Sequence, residues 1–191
     1  MKLKHTAAAV LACWLLAGTA SAAPLAAFSA TPSNTTVGQA NSLNVVFTSS
    51  GGFSSLGYLD LTLPSAFTVS NPIGNCALIA VTVDGAPASI TECGRGGGGQ
   101  LFARLNNPIA DGATVRVIYS SSLITNPATP GSYPFSFETT SGGFLIGEAS
   151  ATLSIAAPAP IPTMTEWAMI LLGVLLAGSA TLMIQKRRLA A

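Results

Sequence analysis

Between Ala23 and Ile161 the chain carries no lysine and no histidine. The missing imidazole excludes Ser-His-Asp and Cys-His arrangements there, and it removes the commonest base for a thiol nucleophile. The missing lysine excludes an internal Lys-Asn crosslink of the kind that staples some surface fibres. Charge of either sign is scarce: Arg95, Arg104 and Arg116 against Asp60, Asp84, Glu92, Asp111, Glu138 and Glu148, a net charge of −3. Three scattered arginines make no nucleic-acid footprint. The acids are equally scattered. Asp84 and Asp111 each precede glycine and read as turn residues, and no D-x-D-x-D-G run offers a calcium loop. A glycosidase pair of carboxylates has no positive signal. No catalytic residue, cofactor or metal site is expected, and the chain is read as non-enzymatic.

Cysteine is rare too. Cys13 lies in the N-terminal apolar run, leaving Cys76 and Cys93. They are not C-x-x-C, and two thiolates without histidine are too few for zinc. In an exported chain they read as a disulfide closing a loop of about 18 residues, worth roughly 3 kcal/mol by loop entropy. Two buried thiols are the alternative.

What is present is concentrated at the ends. Residues 1–22 open with Lys2 and Lys4, continue through an apolar run and close on Ala20-Ser21-Ala22, the pattern of a secretory signal cut after Ala22. Leu11-Ala12-Cys13 is a poor lipoprotein alternative, because the apolar run continues past it. At the other end Trp167 to Ile184 is free of charge and Lys186, Arg187 and Arg188 follow. At about 1.5 Å per residue the run measures roughly 27 Å, so a transmembrane helix at about 167–185 is expected, with the basic tail 186–188 as a cytoplasmic stop-transfer signal. A buried core helix is the alternative. Ala156 to Pro162, AAPAPIP, is a short stiff spacer centred on 158–162. Gly173 and Ala177 are spaced for close helix approach, though ordinary membrane-helix composition gives the same pattern.

The middle, residues 23–157, is long enough for one core. Period-two alternation predicts strands at Ser42–Phe47, Tyr58–Leu63, Ala77–Val83, Gln100–Leu105, Thr114–Tyr119, Tyr133–Phe137 and Ala151–Ile155. Phe67–Val69 is a shorter piece. Asp84-Gly85 turns the chain, and Ser89–Cys93 is expected to return beside Ala77–Val83, with the cysteines near the open end of that hairpin. Gly94 to Gly99 reads as a mobile surface loop, since it lacks Gly-Lys-Ser/Thr and a following helix. Pro134 suggests an edge or a strand start. Seven to nine short strands without an amphipathic helix give an all-β fold, an immunoglobulin-like antiparallel β-sandwich ectodomain plus one C-terminal transmembrane helix. A barrel is the alternative.

Thr163-Met164-Thr165-Glu166 fits a capping box, and Trp167 sits where an interfacial aromatic belongs. The stretch Ile161-Pro162-Thr163-Met164-Thr165-Glu166-Trp167, a short apolar helix and the basic Lys186-Arg187-Arg188 together resemble the IPTL-CTERM protein-sorting domain over residues 161–188. Met164 and Thr165 replace the family's Leu and Ser. The layout is related to the PEP-CTERM signals of Gram-negative bacteria. The resemblance implies a membrane-embedded sorting protease or transpeptidase that cuts near the motif, after Sec-type export and signal peptidase action. The expected product is an exported envelope or cell-surface protein, probed at the membrane as a single-pass intermediate in contact with lipid. Its role would be structural, in a matrix, surface layer or appendage, with self-assembly open to it. Two alternatives stand: a glycan- or protein-binding adhesin-like module, and a permanently membrane-anchored ectodomain without processing.

Overall fold

The computed structural model describes residues 22–51, 57–160 and 164–189; the side chains of 164–166, 184 and 186–189 are not among those described. The signal peptide, apart from Ala22, and Ile161, Pro162 and Thr163 lie outside the described residues. The chain divides into two compact units, Met1–Ala157 and Pro158–Ala191.

The first unit is a two-layer β-sandwich. One sheet, A, has the order β1-β12-β11-β4-β9-β8; the other, B, runs β2-β3-β10-β6-β7, with β5 also paired to β10. Their bounds are β1 Ala23–Pro24, β2 Ala26–Pro32, β3 Ala40–Thr48, β4 Tyr58–Thr62, β5 Thr68–Val69 and β6 Ile79–Val83. They continue with β7 Ala86–Ala88, β8 Ile90–Arg95, β9 Gln100–Leu105, β10 Thr114–Thr125, β11 Gly131–Ser141 and β12 Phe144–Ile155. All pairings between these strands are antiparallel except the parallel contact of β1 with β12.

The core forms because alternate residues of both sheets face inward. Leu43, Val45 and Phe47 of β3 and Leu59 and Leu61 of β4 have no exposed surface, nor do Val115, Val117 and Tyr119 of β10. Burying each such side chain is worth about 1.5–3 kcal/mol against leaving it in water. Phe47 and Phe137 meet across the layers at 5.3 Å between ring centroids. Tyr133 donates its hydroxyl to the Thr129 carbonyl at 2.8 Å, a corner that fixes the entry to β11.

The N-terminal strand joins the sheets along one side. It runs beside β12, then Ala27, at φ 48°, turns it into sheet B as β2. Leu25 packs over Gly147, where a Cβ would lie 2.4 Å from the leucine Cδ2. Phe28 closes the gap, 6.4 and 6.1 Å from the rings of Phe135 and Phe137. The partners of those two residues on β12 are the small Ala151 and Ala149, which leave room for it.

Several expectations are corrected. Only Ala86–Ala88 returns beside β6; β8 crosses to the other sheet and pairs with β9. Ala77 and Leu78, expected in the strand, belong with Cys76 to a short 3₁₀ turn, and β6 starts at Ile79. The disulfide is present, with Cα atoms 5.6 Å apart, and it ties the approach to sheet B to the edge of sheet A. Pro134 is not on an edge. It pairs with Thr152, and the β4 ladder begins two residues later at Ser136, so the missing donor interrupts no bond to β4. The glycine run is a folded turn: Gly94 and Arg95 end β8 and Gly97–Gly99 form a 3₁₀ turn into β9. Gly99 is buried at φ 86°, and a Cβ there would lie 2.6 Å from the Leu63 carbonyl oxygen, so only glycine fits.

The second unit is helix α1, Met164–Leu189, 26 residues long. Its described apolar side chains are exposed on every side, Met169 and Leu175 by 70% and 69%. Among the described residues no helix is long and apolar enough to cross a membrane. The expected transmembrane span at 167–185 is therefore corrected to an exposed apolar helix. The unbroken run of described side chains, Trp167 to Met183, measures roughly 25 Å at 1.5 Å per residue. That is short of the roughly 30 Å hydrocarbon core.

Candidate functional site

Two places gather chemistry: the C-terminal segment and the outer face of sheet A. In the C-terminal segment, α1 starts at Met164, and Trp167 is the first described side chain, 54% exposed. The sorting-motif residues Ile161, Pro162 and Thr163 and the side chains of Met164, Thr165 and Glu166 lie outside the described residues, as do those of Lys186, Arg187 and Arg188. Ser179 and Thr181 turn their hydroxyls back to the carbonyls of Leu176 and Gly178, at 2.9 and 2.7 Å. Their polarity is thus satisfied within the helix, and the described surface it presents is almost wholly apolar. Such a surface is stable only when lipid, detergent or another protein covers it.

The outer face of sheet A is built by register. Glu138 stands opposite Asp60 on one side and Glu148 on the other, so three carboxylates cross three adjacent strands in a line. Asp60 leads on to Phe102, and Phe102 to Gly94. The Phe102 ring lies against Gly94, where a Cβ would be 2.6 Å from it. Tyr58 meets Phe102 edge-on at 6.1 Å, and the Arg104 guanidinium lies 5.5 Å above the Tyr58 ring. Arg104 pairs with Glu92 at 3.4 Å. Gln100 donates its amide to Asp60 Oδ1 at 3.2 Å.

Electrostatics follow from that line. Burial, with Glu138 adding to it, raises the Asp60 carboxyl to about 6, although the Gln100 bond pulls the other way. Behind it, Tyr119 is fully buried and its hydroxyl has no partner among the described residues. Burial first and the Asp60 charge second push its phenol above the ordinary range. Among the described residues no group of three or more His, Cys, Asp or Glu could hold a metal ion; the carboxylates line up instead of converging. The face places no nucleophile beside a base.

Sequence reasoning located Cys76 and Cys93 and the sorting segment. It missed the carboxylate line, because Asp60 and Glu138 are brought together only by strand pairing. The one local signal, the alternation of Tyr58-Leu59-Asp60-Leu61, showed that Asp60 faces out without showing what it faces.

Comparison with known proteins adds the following. The family model of the IPTL-CTERM motif matches residues 159–188, two residues further upstream than the resemblance marked above. No curated protein matches the chain. Among solved structures, the chain is similar to BslA, a bacterial hydrophobin, at 22% identity and a TM-score of 0.40, over 69% of this chain and 98% of that one. It is also similar to the collagen-binding domain of a Staphylococcus aureus adhesin, at 8% identity and a TM-score of 0.35, over 66% of this chain and 96% of that one.

Proposed function

We propose that the chain is a non-enzymatic, exported envelope protein whose immunoglobulin-like domain serves a structural role at the cell surface. In this reading the C-terminal segment is a sorting signal removed or exchanged on the way. The observation that carries the reading is the IPTL-CTERM match at residues 159–188, placed after a domain with its own core and disulfide. Helix α1 lodges the precursor in the inner membrane through its apolar surface. Lys186, Arg187 and Arg188 hold its end at anionic headgroups. A sorting enzyme then cuts near the motif. The strand order and the Tyr133 corner support the immunoglobulin-like assignment.

Intact-mass measurement of membrane and cell-surface fractions tests it. The expected surface species starts at Ala23, has lost α1, and is two hydrogens lighter than its reduced form. Surface material that retains Lys186-Arg187-Arg188 would overturn the sorting role and leave a permanently anchored ectodomain.

One observation favours a second reading, a glycan-binding module: Tyr58 and Phe102 are half-exposed on the outer face of sheet A beside Asp60 and Gln100. Aromatic faces flanked by acceptors and amides suit sugar rings. Saturable binding on a glycan array, lost in Phe102→Ala, is the result that would prefer it.

A further inference from the structure

The strands of the two sheets carry very different charge. Those of sheet A hold four acids, Asp60, Glu92, Glu138 and Glu148, and two arginines, Arg95 and Arg104. Those of sheet B hold a single charged residue, Arg116. Arg104 is paired with Glu92, so the outer face of sheet A presents Asp60, Glu138 and Glu148 with no cationic partner among the described residues. Like charges directly opposite one another destabilise a sheet, and here three stand side by side.

The outer face of sheet B is the counterpart. Arg116 is exposed at its middle, flanked in register by Val46 and Thr82. Its Nε donates to Asn44 Oδ1 at 2.8 Å, which holds the side chain on the face while other guanidinium donors remain available. Ile118 and Ala80 form the next row. The nearest acid along the strands, Asp84, lies at the end of the sheet and accepts the Thr114 N–H at 2.8 Å. One face is therefore anionic with half-exposed Tyr58 and Phe102; the other is largely uncharged with one central cation.

We infer that the outer face of sheet B of one copy docks on the outer face of sheet A of the next, with Arg116 set on the Asp60–Glu138–Glu148 line. The occupant of the acidic face is a second copy of this chain, and the argument is the charge complementarity of its own two faces. An arginine fork suits carboxylates at this spacing, since neighbouring strands are about 4.8 Å apart and sheets stack at about 10 Å. Because the two docking faces are different, a docked pair leaves one face of each kind free, and the contact propagates instead of closing. The stack deepens the structural reading above and rests on it for its biological meaning.

The contact is weak taken singly. Five or six strands at about 4.8 Å, by six residues at about 3.3 Å, give each face roughly 500 Å² in projection. Two such faces together come to roughly 1,000 Å², below the about 1,200–2,000 Å² of stable interfaces. Association is thus expected where copies are crowded, as on a surface.

Sedimentation velocity of the chain with its C-terminal helix, in a non-ionic detergent and over rising concentration, tests it. Wild type is expected to associate in a concentration-dependent way that weakens at least several-fold between 50 mM and 500 mM salt. Arg116→Glu and Glu138→Arg are each expected to remain unassociated. Mixed one to one they are expected to associate in alternating stacks, and the double variant R116E/E138R recovers open-ended association. Thermal melts of all three exclude unfolding as the cause. Association of Arg116→Glu equal to wild type, or no recovery in the double variant, overturns the inference. Wild type unassociated at every concentration also overturns it. None of these results touches the intact-mass test of sorting, so the two readings fail separately.

Discussion

At the residue scale the decisive group is Asp60. Its carboxyl is raised to about 6, through burial first and Glu138 second; in the unfolded chain it titrates near 3.9. A carboxyl raised on folding penalises the folded state once it ionises. The penalty is full above pH 6 and disappears as the pH falls towards 4. Stability therefore increases on acidification from pH 7 to pH 5. Asp60 is partly open to solvent, and after screening the gain is roughly 1 kcal/mol, or about 2–4 °C in melting temperature. Differential scanning calorimetry should show that rise in the native chain and a flattened one in Asp60→Asn. A melting temperature that falls steadily from pH 7 to 5 would contradict the assignment.

At the element scale the disulfide and the crossing β8 belong together. The Asp84-Gly85 hairpin turns β6 into only three paired residues before the chain leaves for sheet A. Cys76–Cys93 fixes that departure, and Cys93 also lies 3.4 Å from the Pro72 carbonyl. Replacing both cysteines by serine is expected to cost about 2–4 kcal/mol, read as a lower urea midpoint. The first local change should be at β8, whose amides would lose protection ahead of β3 and β10 in hydrogen exchange. Equal loss in all three would mean the bond acts on the unfolded chain alone.

What could be read in advance also divides by element. β3, β4 and β9 alternate large apolar with polar residues, so period two marked them. β1 and β2 escaped, because Ala-Pro-Leu-Ala-Ala-Phe-Ser-Ala-Thr-Pro is mostly small. An edge strand that buries little beyond Leu25 and Phe28 needs no strong alternation. β8 was given the wrong neighbour because a turn signal fixes that a chain reverses, not which sheet it rejoins. The sorting segment was legible as a family pattern, since its information is local, although the membrane span expected within it was not borne out. The carboxylate line was not legible, since Asp60, Glu138 and Glu148 come from three strands.

At the scale of the whole molecule the two units have separate reasons to exist. The domain buries its own core, and α1 buries none of its described side chains. Ending the chain at Ala157 is therefore expected to leave the melting temperature within about 2 °C while abolishing the need for detergent. A large fall would mean that the helix is part of the fold.

The parallel pairing of β1 with β12 sets a timetable for folding. Ala23 and Pro24 stand at the start of the domain in sequence, yet their partners Gly147 and Glu148 stand near its end. The clasp over Phe28 cannot shut until nearly the whole domain is present, and so distant a closure is slow. Until then the Phe135 and Phe137 side of the core lacks the Phe28 ring that covers it.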